Sequence, residues 1–298
     1  MASNRTHSGF RPPCRAGKGR AARRGTPAWD FLAGALVLIA CFHLAPCVWG
    51  VGLSLFRYDG IGRAEWVGLD NYRRLAEDGT VRSALWVTAE YALGAVPLGL
   101  GAGLFIALAL DERWFRGRAV ARTLFFMPNV ISLVAVAFVW EWLLNPQYGM
   151  VNSALRALGI QGPAWLSDPR WALPCVILVQ AWHGLGFYVI VCLAGLQAIP
   201  DTYYEAARID GASRARQVRS ITLPLLTPTL MFLSIMGVIG AFQVFQTVYM
   251  MTGGGPADST RVLVYYLWQV AFDRVELGYA SAIAVVIFAA VLVLTLGQ

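Results

Sequence analysis

The chain has 298 residues, of which 57% are hydrophobic and 14% charged, and it carries a formal charge of +7 from 23 Arg and one Lys against 17 acids. Soluble domains carry about 25% charged residues, so there is too little polar surface here to wrap a water-soluble globule, and an ordinary cytosolic protein is excluded. The five Cys (14, 41, 47, 175 and 192) form no C-x-x-C pair, and four lie in apolar runs, which excludes a zinc ribbon or a secreted disulfide framework and makes those four small hydrophobes.

Residues 1–29 contain Arg5, Arg11, Arg15, Lys18, Arg20, Arg23 and Arg24, and the first acid is Asp30. A tail rich in Gly, Pro and Arg is expected to be disordered, and it is read as a topology determinant touching anionic lipid rather than as a nucleic-acid arm. Residues 30–298 form the transmembrane part. A hydrocarbon core of about 30 Å takes roughly 20 helical residues. Six apolar runs are long enough: about 31–56, 84–110, 123–144, 171–199, 225–251 and 279–298. The first exceeds a signal-peptide core of about 7 to 15 residues, so it is expected to stay in the mature protein. Barrel strands would alternate over about 10 residues, whereas these runs are continuous, so the expected class is an all-α integral membrane protein with six transmembrane helices.

Arg and Lys set the orientation. With the tail inside, the inner segments (tail, 111–122 and 199–224) hold 15 basic residues, and the outer ones (57–83, 145–170 and 252–278) hold 9. Both termini are then expected in the cytoplasm.

Polar residues inside the spans are few. His43 is read as a packing residue, and Gly94, Gly99, Gly101, Gly103, Gly237 and Gly240 as positions of close helix approach. Glu90, near the outer end of the second span, is read as structural. Glu141, between Trp140 and Trp142, is read as an interfacial carboxylate. Gln180, His183 and Phe187 share a face of the fourth span, and Gln243 and Gln246 lie on the outer half of the fifth. Amides beside an aromatic ring suit a sugar path, and they equally suit interhelical hydrogen bonds; both readings stand. The outer Gly253-Gly-Gly-Pro256 follows no strand and precedes no Lys-Ser/Thr, so it is expected to be a flexible loop rather than a phosphate cradle.

The segment 200–224 is long for a connection that ordinarily needs about 2 to 8 residues. Thr202 and Glu205 have capping-box spacing, with Tyr204, Ala207 and Arg208 near one face. Asp210-Gly211 is expected to break the helix, Ser213 to cap a second short helix bearing Arg214, Arg216 and Arg219, and Leu223-Pro224 to end that helix and begin the fifth span. The result is a compact knob.

Here Glu205-Ala206-Ala207, then three residues, Gly211, nine residues, and Ile221-x-Leu223-Pro224 resemble the EAA loop of permease subunits of binding-protein-dependent ATP-binding-cassette (ABC) importers. Trp165–Pro169, Gly195–Asp201, Tyr204–Ala212 and Thr252–Pro256 are similar to the carbohydrate-importer branch, which includes maltose and glycerol-3-phosphate importers. The resemblance runs from about residue 30 to the end. It implies a methionine-importer-like ABC permease fold with a cytoplasmic coupling helix, in a bacterial or archaeal cell membrane. It also implies ATPase coupling through Glu205, Ala206, Ala207, Gly211, Ile221, Leu223 and Pro224. Glu205 remains open to a second role as a capping-box partner of Thr202. The implied partners are two ABC ATPase subunits, a second and different permease, an extracytoplasmic solute-binding protein and the lipid bilayer. The implied cargo is a sugar, polyol or glycerol phosphate. ATP and Mg would sit on the ATPase, with no cofactor on this chain.

Rival classes lack their residues. No G-x-x-x-x-G-K-[ST] occurs, so the chain is not expected to be an enzyme that splits ATP itself. An intramembrane protease or glycosyltransferase needs a metal-binding pair, a Ser/His arrangement or paired carboxylates, which His7, His43, His183, Glu90 and Glu141 do not supply. An ion-coupled secondary transporter would favour a central acid and inverted repeats and would not need the knob.

Overall fold

The computed structural model describes residues 28–111 and 117–298, so most of the basic tail and Arg113 and Arg116 of the second inner segment lie outside the described residues. The chain divides into two units at Val48/Trp49. In the first, α1 (Ala28–Ile39) is followed by a π turn (Ala40–Leu44) and the first residues of α2 (Ala45–Leu53), within which the boundary falls. Leu36, Val37 and Phe42 are exposed, as expected of a helix whose apolar side chains face lipid or another chain. His43 and Cys41 are exposed too, so the packing role read for His43 is not seen within this unit.

The second unit opens with a two-stranded antiparallel hairpin, β1 (Phe56–Arg57) and β2 (Glu65–Trp66), with Phe56 opposite Trp66. Asn71 of α3 (Asp70–Glu77) is buried behind it and donates to the Ser54 and Phe56 carbonyls. Next comes α4 (Gly79–Asp111), whose 33 residues extend about 50 Å at 1.5 Å per residue. It starts before the expected 84, which places Glu90 eleven residues along the helix rather than six. Glu90 is exposed, and among the described residues no Arg pairs with it.

The expected third span is two helices. Between α5 (Arg118–Val130) and α6 (Leu133–Leu143) the chain turns by 94°. Pro128 removes one donor from the last turn of α5, and Ile131 and Ser132 are extended (ψ 141° and 126°), so hydropathy continues where the helix does not. Glu141 on α6 is exposed beside Trp140, which meets Trp182 edge-on at 5.7 Å.

After α7 (Met150–Ala157), Asp168 caps α8 (Pro169–Gln197) by accepting from the Arg170 N–H, with Pro169 at the first helical position. The 165–169 motif thus has a local purpose, and Trp165 Nε1 also donates to the buried Asn152 at 2.7 Å. The helices α9 (Asp201–Ile209) and α10 (Arg214–Gln217) follow, then a π turn (Val218–Thr222) leading into α11 (Leu223–Phe242). The fifth span also breaks. The helix stops at Phe242, and α12 (Gln246–Met251) starts after a three-residue break. Last come α13 (Leu263–Trp268), a π turn (Gln269–Asp273) and α14 (Leu277–Gly297). Among the described residues five helices are long and apolar enough to cross a bilayer, or six if the bent pair α5–α6 counts as one span.

The core lies where α4, α8 and α11 pack. An added Cβ at Gly94 would sit 2.7 Å from Ile177, and one at Gly103 would overlap Tyr188, so these glycines let α4 approach α8. Gly99 and Gly237 also face Tyr188, whereas nothing lies within 4 Å of a Cβ at Gly101 or Gly240. Close packing therefore accounts for four of the six glycines. Cys175 and Cys192 are buried in apolar clusters, as small hydrophobes should be. The Gly253–Pro256 loop, expected to be flexible, is tied down: fully buried Thr260 hydrogen-bonds Thr252 and the Gly255 carbonyl, each at 2.7 Å.

Candidate functional site

The knob is built from the chain outward. Pro200 is the N-cap of α9 and gives no side-chain cap. Thr202 lies inside the helix, so the Thr202–Glu205 capping box does not form, and Asp201 supplies the acidic first turn instead. Glu205 and Ala206 are exposed, Ala207 is half-buried, and Ile209 is 87% exposed. The C-terminus of α9 closes as a Schellman motif: Ala212 N–H donates to Ala207 O at 2.8 Å and Gly211 N–H to Arg208 O at 3.1 Å. Gly211 adopts φ +73°, the left-handed region that glycine enters without a Cβ clash.

Ser213 then caps α10, its hydroxyl accepting from the Arg216 N–H. The second helix does not end at Leu223-Pro224 as expected. Pro224 has no N–H, and the helix passes it by widening to a π turn in which Leu223 N–H reaches Val218 O, so Arg214–Phe242 is continuous. The second helix of the knob and α11 are therefore one helix. Ile221 and Leu223 are half-buried and Pro224 is exposed. Tyr204 pins α9 to this helix through a 3.0 Å hydrogen bond between its hydroxyl and that of Thr222, and Gln217 donates to Ala212 O at 2.9 Å.

Between α4, α8 and α11 lies a cavity of about 340 Å³, lined by Tyr91, Asn129, Gln180, Phe187, Tyr188 and Met236 among others, with no charged side chain in its wall. Two of the five residues expected on a solute path, Gln180 and Phe187, line it. His183 does not; its Nε2 lies 3.1 Å from the Ile131 carbonyl. Gln243 and Gln246 are exposed on either side of the break in the fifth span, outside the lining. Asn129, Tyr91 and Tyr188 were not singled out in the sequence. A lone amide following Pro128 inside an apolar run was the readable signal for Asn129.

At the other end of α4 from the knob, a polar cluster joins α3 and α4 to α13 and α14. Asp78 Oδ2 accepts from the Tyr266 and Tyr279 hydroxyls at 2.7 and 2.8 Å, and Thr80 N–H donates to Oδ1 at 2.8 Å. Burial pushes the Asp78 carboxyl up, but these hydrogen bonds outweigh it and hold the group below its ordinary value. Arg74 pairs with Glu276 at 2.6 Å and lies over the Tyr279 ring at 4.2 Å. Among the described residues no group of three or more His, Cys, Asp or Glu is arranged to hold a metal ion.

Comparison with known proteins agrees with this arrangement. A family profile described as the inner membrane component of binding-protein-dependent transport systems matches residues 97–298. The probable ABC transporter permease YesP of Bacillus subtilis is 38% identical over 285 residues, covering 94% of this chain and 91% of that protein. The sulfoquinovosyl glycerol permease SmoG of Agrobacterium fabrum is 36% identical over 258 residues, covering 85% and 82%. A crystal structure of a bacterial ABC transporter involved in import of the acidic polysaccharide alginate superposes a chain of 25% identity with a TM-score of 0.80, over 90% of this chain and 92% of that one. A multi-pass membrane chain with this knob, these spans and these relatives belongs to the family of binding-protein-dependent ABC transport permeases, the inner membrane components of such systems.

Proposed function

We propose that this permease is the transmembrane subunit of an ATP-driven importer that takes a sugar or related solute from an extracytoplasmic binding protein and releases it into the cytoplasm. The observation that carries the coupling role is the exposed surface of α9. Glu205 and the 87% exposed Ile209 of α9 stand beside a turn fixed by Gly211, which joins α9 to the helix continuous with α11. An apolar side chain left in water next to an unpaired carboxylate is the composition of a surface that another protein covers. In this reading the knob and both termini are cytoplasmic, and the knob seats in one of two ABC ATPase subunits. ATP and Mg lie on those subunits, and their closure rocks α11. A second, different permease chain completes the pathway.

The uncharged cavity is the solute path on this chain. Its amides and hydroxyls suit hydroxyl groups, and Phe187, Tyr91 and Tyr188 suit the apolar faces of a sugar ring. The names of SmoG and of the alginate transporter support the sugar class without fixing the solute. The test is uptake by the reconstituted complex with its binding protein. Changing Glu205→Lys should abolish uptake and solute-stimulated ATP hydrolysis while the permease still inserts and still binds the loaded binding protein. Normal uptake would refute the coupling role.

A further inference from the structure

The break between α5 and α6 leaves backbone groups without helical partners inside a span, where hydrocarbon supplies none. One of them is met from a neighbouring helix: His183 Nε2 on α8 donates to the Ile131 carbonyl at 3.1 Å. Three residues further along α8, Gly186 lets the α5 backbone touch it directly; a Cβ there would run into the Phe125 carbonyl and Phe126 Cα. The chain thus meets α8 on both sides of the last turn of α5, at Phe125–Phe126 before it and at Ile131 after it.

Asn129 lies between those points in sequence. It is half-buried and lines the cavity with Gln180, and among the described residues no group hydrogen-bonds its amide. We propose that His183 is a positioning residue: by holding the Ile131 carbonyl it fixes the end of α5, so that Asn129 presents its amide to a hydroxyl of the passing solute. His183 does not itself line the cavity, so its effect is exerted through Asn129. The solute part of this inference rests on the cavity reading above; the positioning part does not.

The experiment separates the two. In the full-length permease with its native cysteines replaced by alanine, a thiol introduced by Asn129→Cys is titrated with a small methanethiosulfonate reagent. A thiol introduced by Gly240→Cys serves as the control, since Gly240 lines the same cavity from α11 with open space at its Cβ. Adding His183→Phe should slow the Asn129→Cys reaction about fivefold to tenfold, the effect of losing one hydrogen bond. His183→Gln, which keeps a donor, should restore it, and the Gly240→Cys reaction should not change. An unchanged Asn129→Cys rate, or an equal fall at Gly240→Cys, would overturn the positioning role. In the reconstituted complex, Asn129→Ala should slow uptake, and His183→Phe should add nothing to it. If Asn129→Ala leaves uptake unchanged while the thiol result holds, the cavity reading fails and the positioning role survives.

Discussion

The two ends of α4 differ in what they leave open. At its N-terminal end, charge is satisfied internally: Asp78 is bonded by two tyrosine hydroxyls and a backbone N–H, and Arg74 by Glu276 and the Tyr279 ring. At the knob, Asp111, Asp201 and Arg214 are also engaged, whereas Glu205 has no partner among the described residues. The first end binds its own elements together, and the second fixes a turn while leaving Glu205 and Ile209 exposed. The contrast teaches that an unpaired charge is informative where the backbone around it is well fixed.

The comparison breaks most visibly at Glu205. Reversing a charge at a docked surface costs about 3 kcal/mol or more, so Glu205→Lys should lower uptake at least about a hundredfold with little change in thermal stability. At the opposite end the pattern should invert. Asp78→Ala strands two hydroxyls and should cost about 2 kcal/mol of stability, read as a lower unfolding temperature in detergent, while ATPase binding through the knob is retained. The pH dependence has a definite sign. Because the folded Asp78 carboxyl titrates below its ordinary 3.8, its contribution is complete above that value and is lost as pH falls through the lower folded value. The unfolding temperature should therefore fall more steeply below pH 3.8 in the parent than in Asp78→Asn.

Smaller changes sharpen the picture of the knob. Gly211→Val places a β-branched residue at φ +73° and should cost about 1–2 kcal/mol locally, seen as weaker ATPase co-purification with unfolding temperature nearly unchanged. The caps separate most finely. Ser213→Ala should cost about 1 kcal/mol, because its hydroxyl accepts from Arg216 N–H, whereas Thr202→Ala should cost less than about 0.5 kcal/mol, because Thr202 caps nothing. Hydrogen exchange at the first turns of α9 and α10 would measure the difference.

Much of this was legible in residue order. The long helices α4, α8 and α14 read directly from uncharged runs, because a spanning helix must supply its own hydrogen bonds. The knob's turn was legible because Asp210-Gly211 is a local signal. Hydropathy does not register direction, so the apolar residues on both sides of Ser132 and of Gln243 looked like single helices. Capping spacing misled at Thr202 because Pro200 already starts the helix there.

Residue order thus determined that the chain spans a membrane and which loop carries a fixed polar turn, since burial and backbone conformation at those points depend on neighbours along the chain. The tertiary structure alone decided that Asn129 joins Gln180 at one cavity, that His183 answers a broken helix 52 residues away, and that Asp78 ties α4 to α13 and α14. Those pairings depend on which faces of α4, α5, α8 and α14 come together, and packing between distant segments is what sets that.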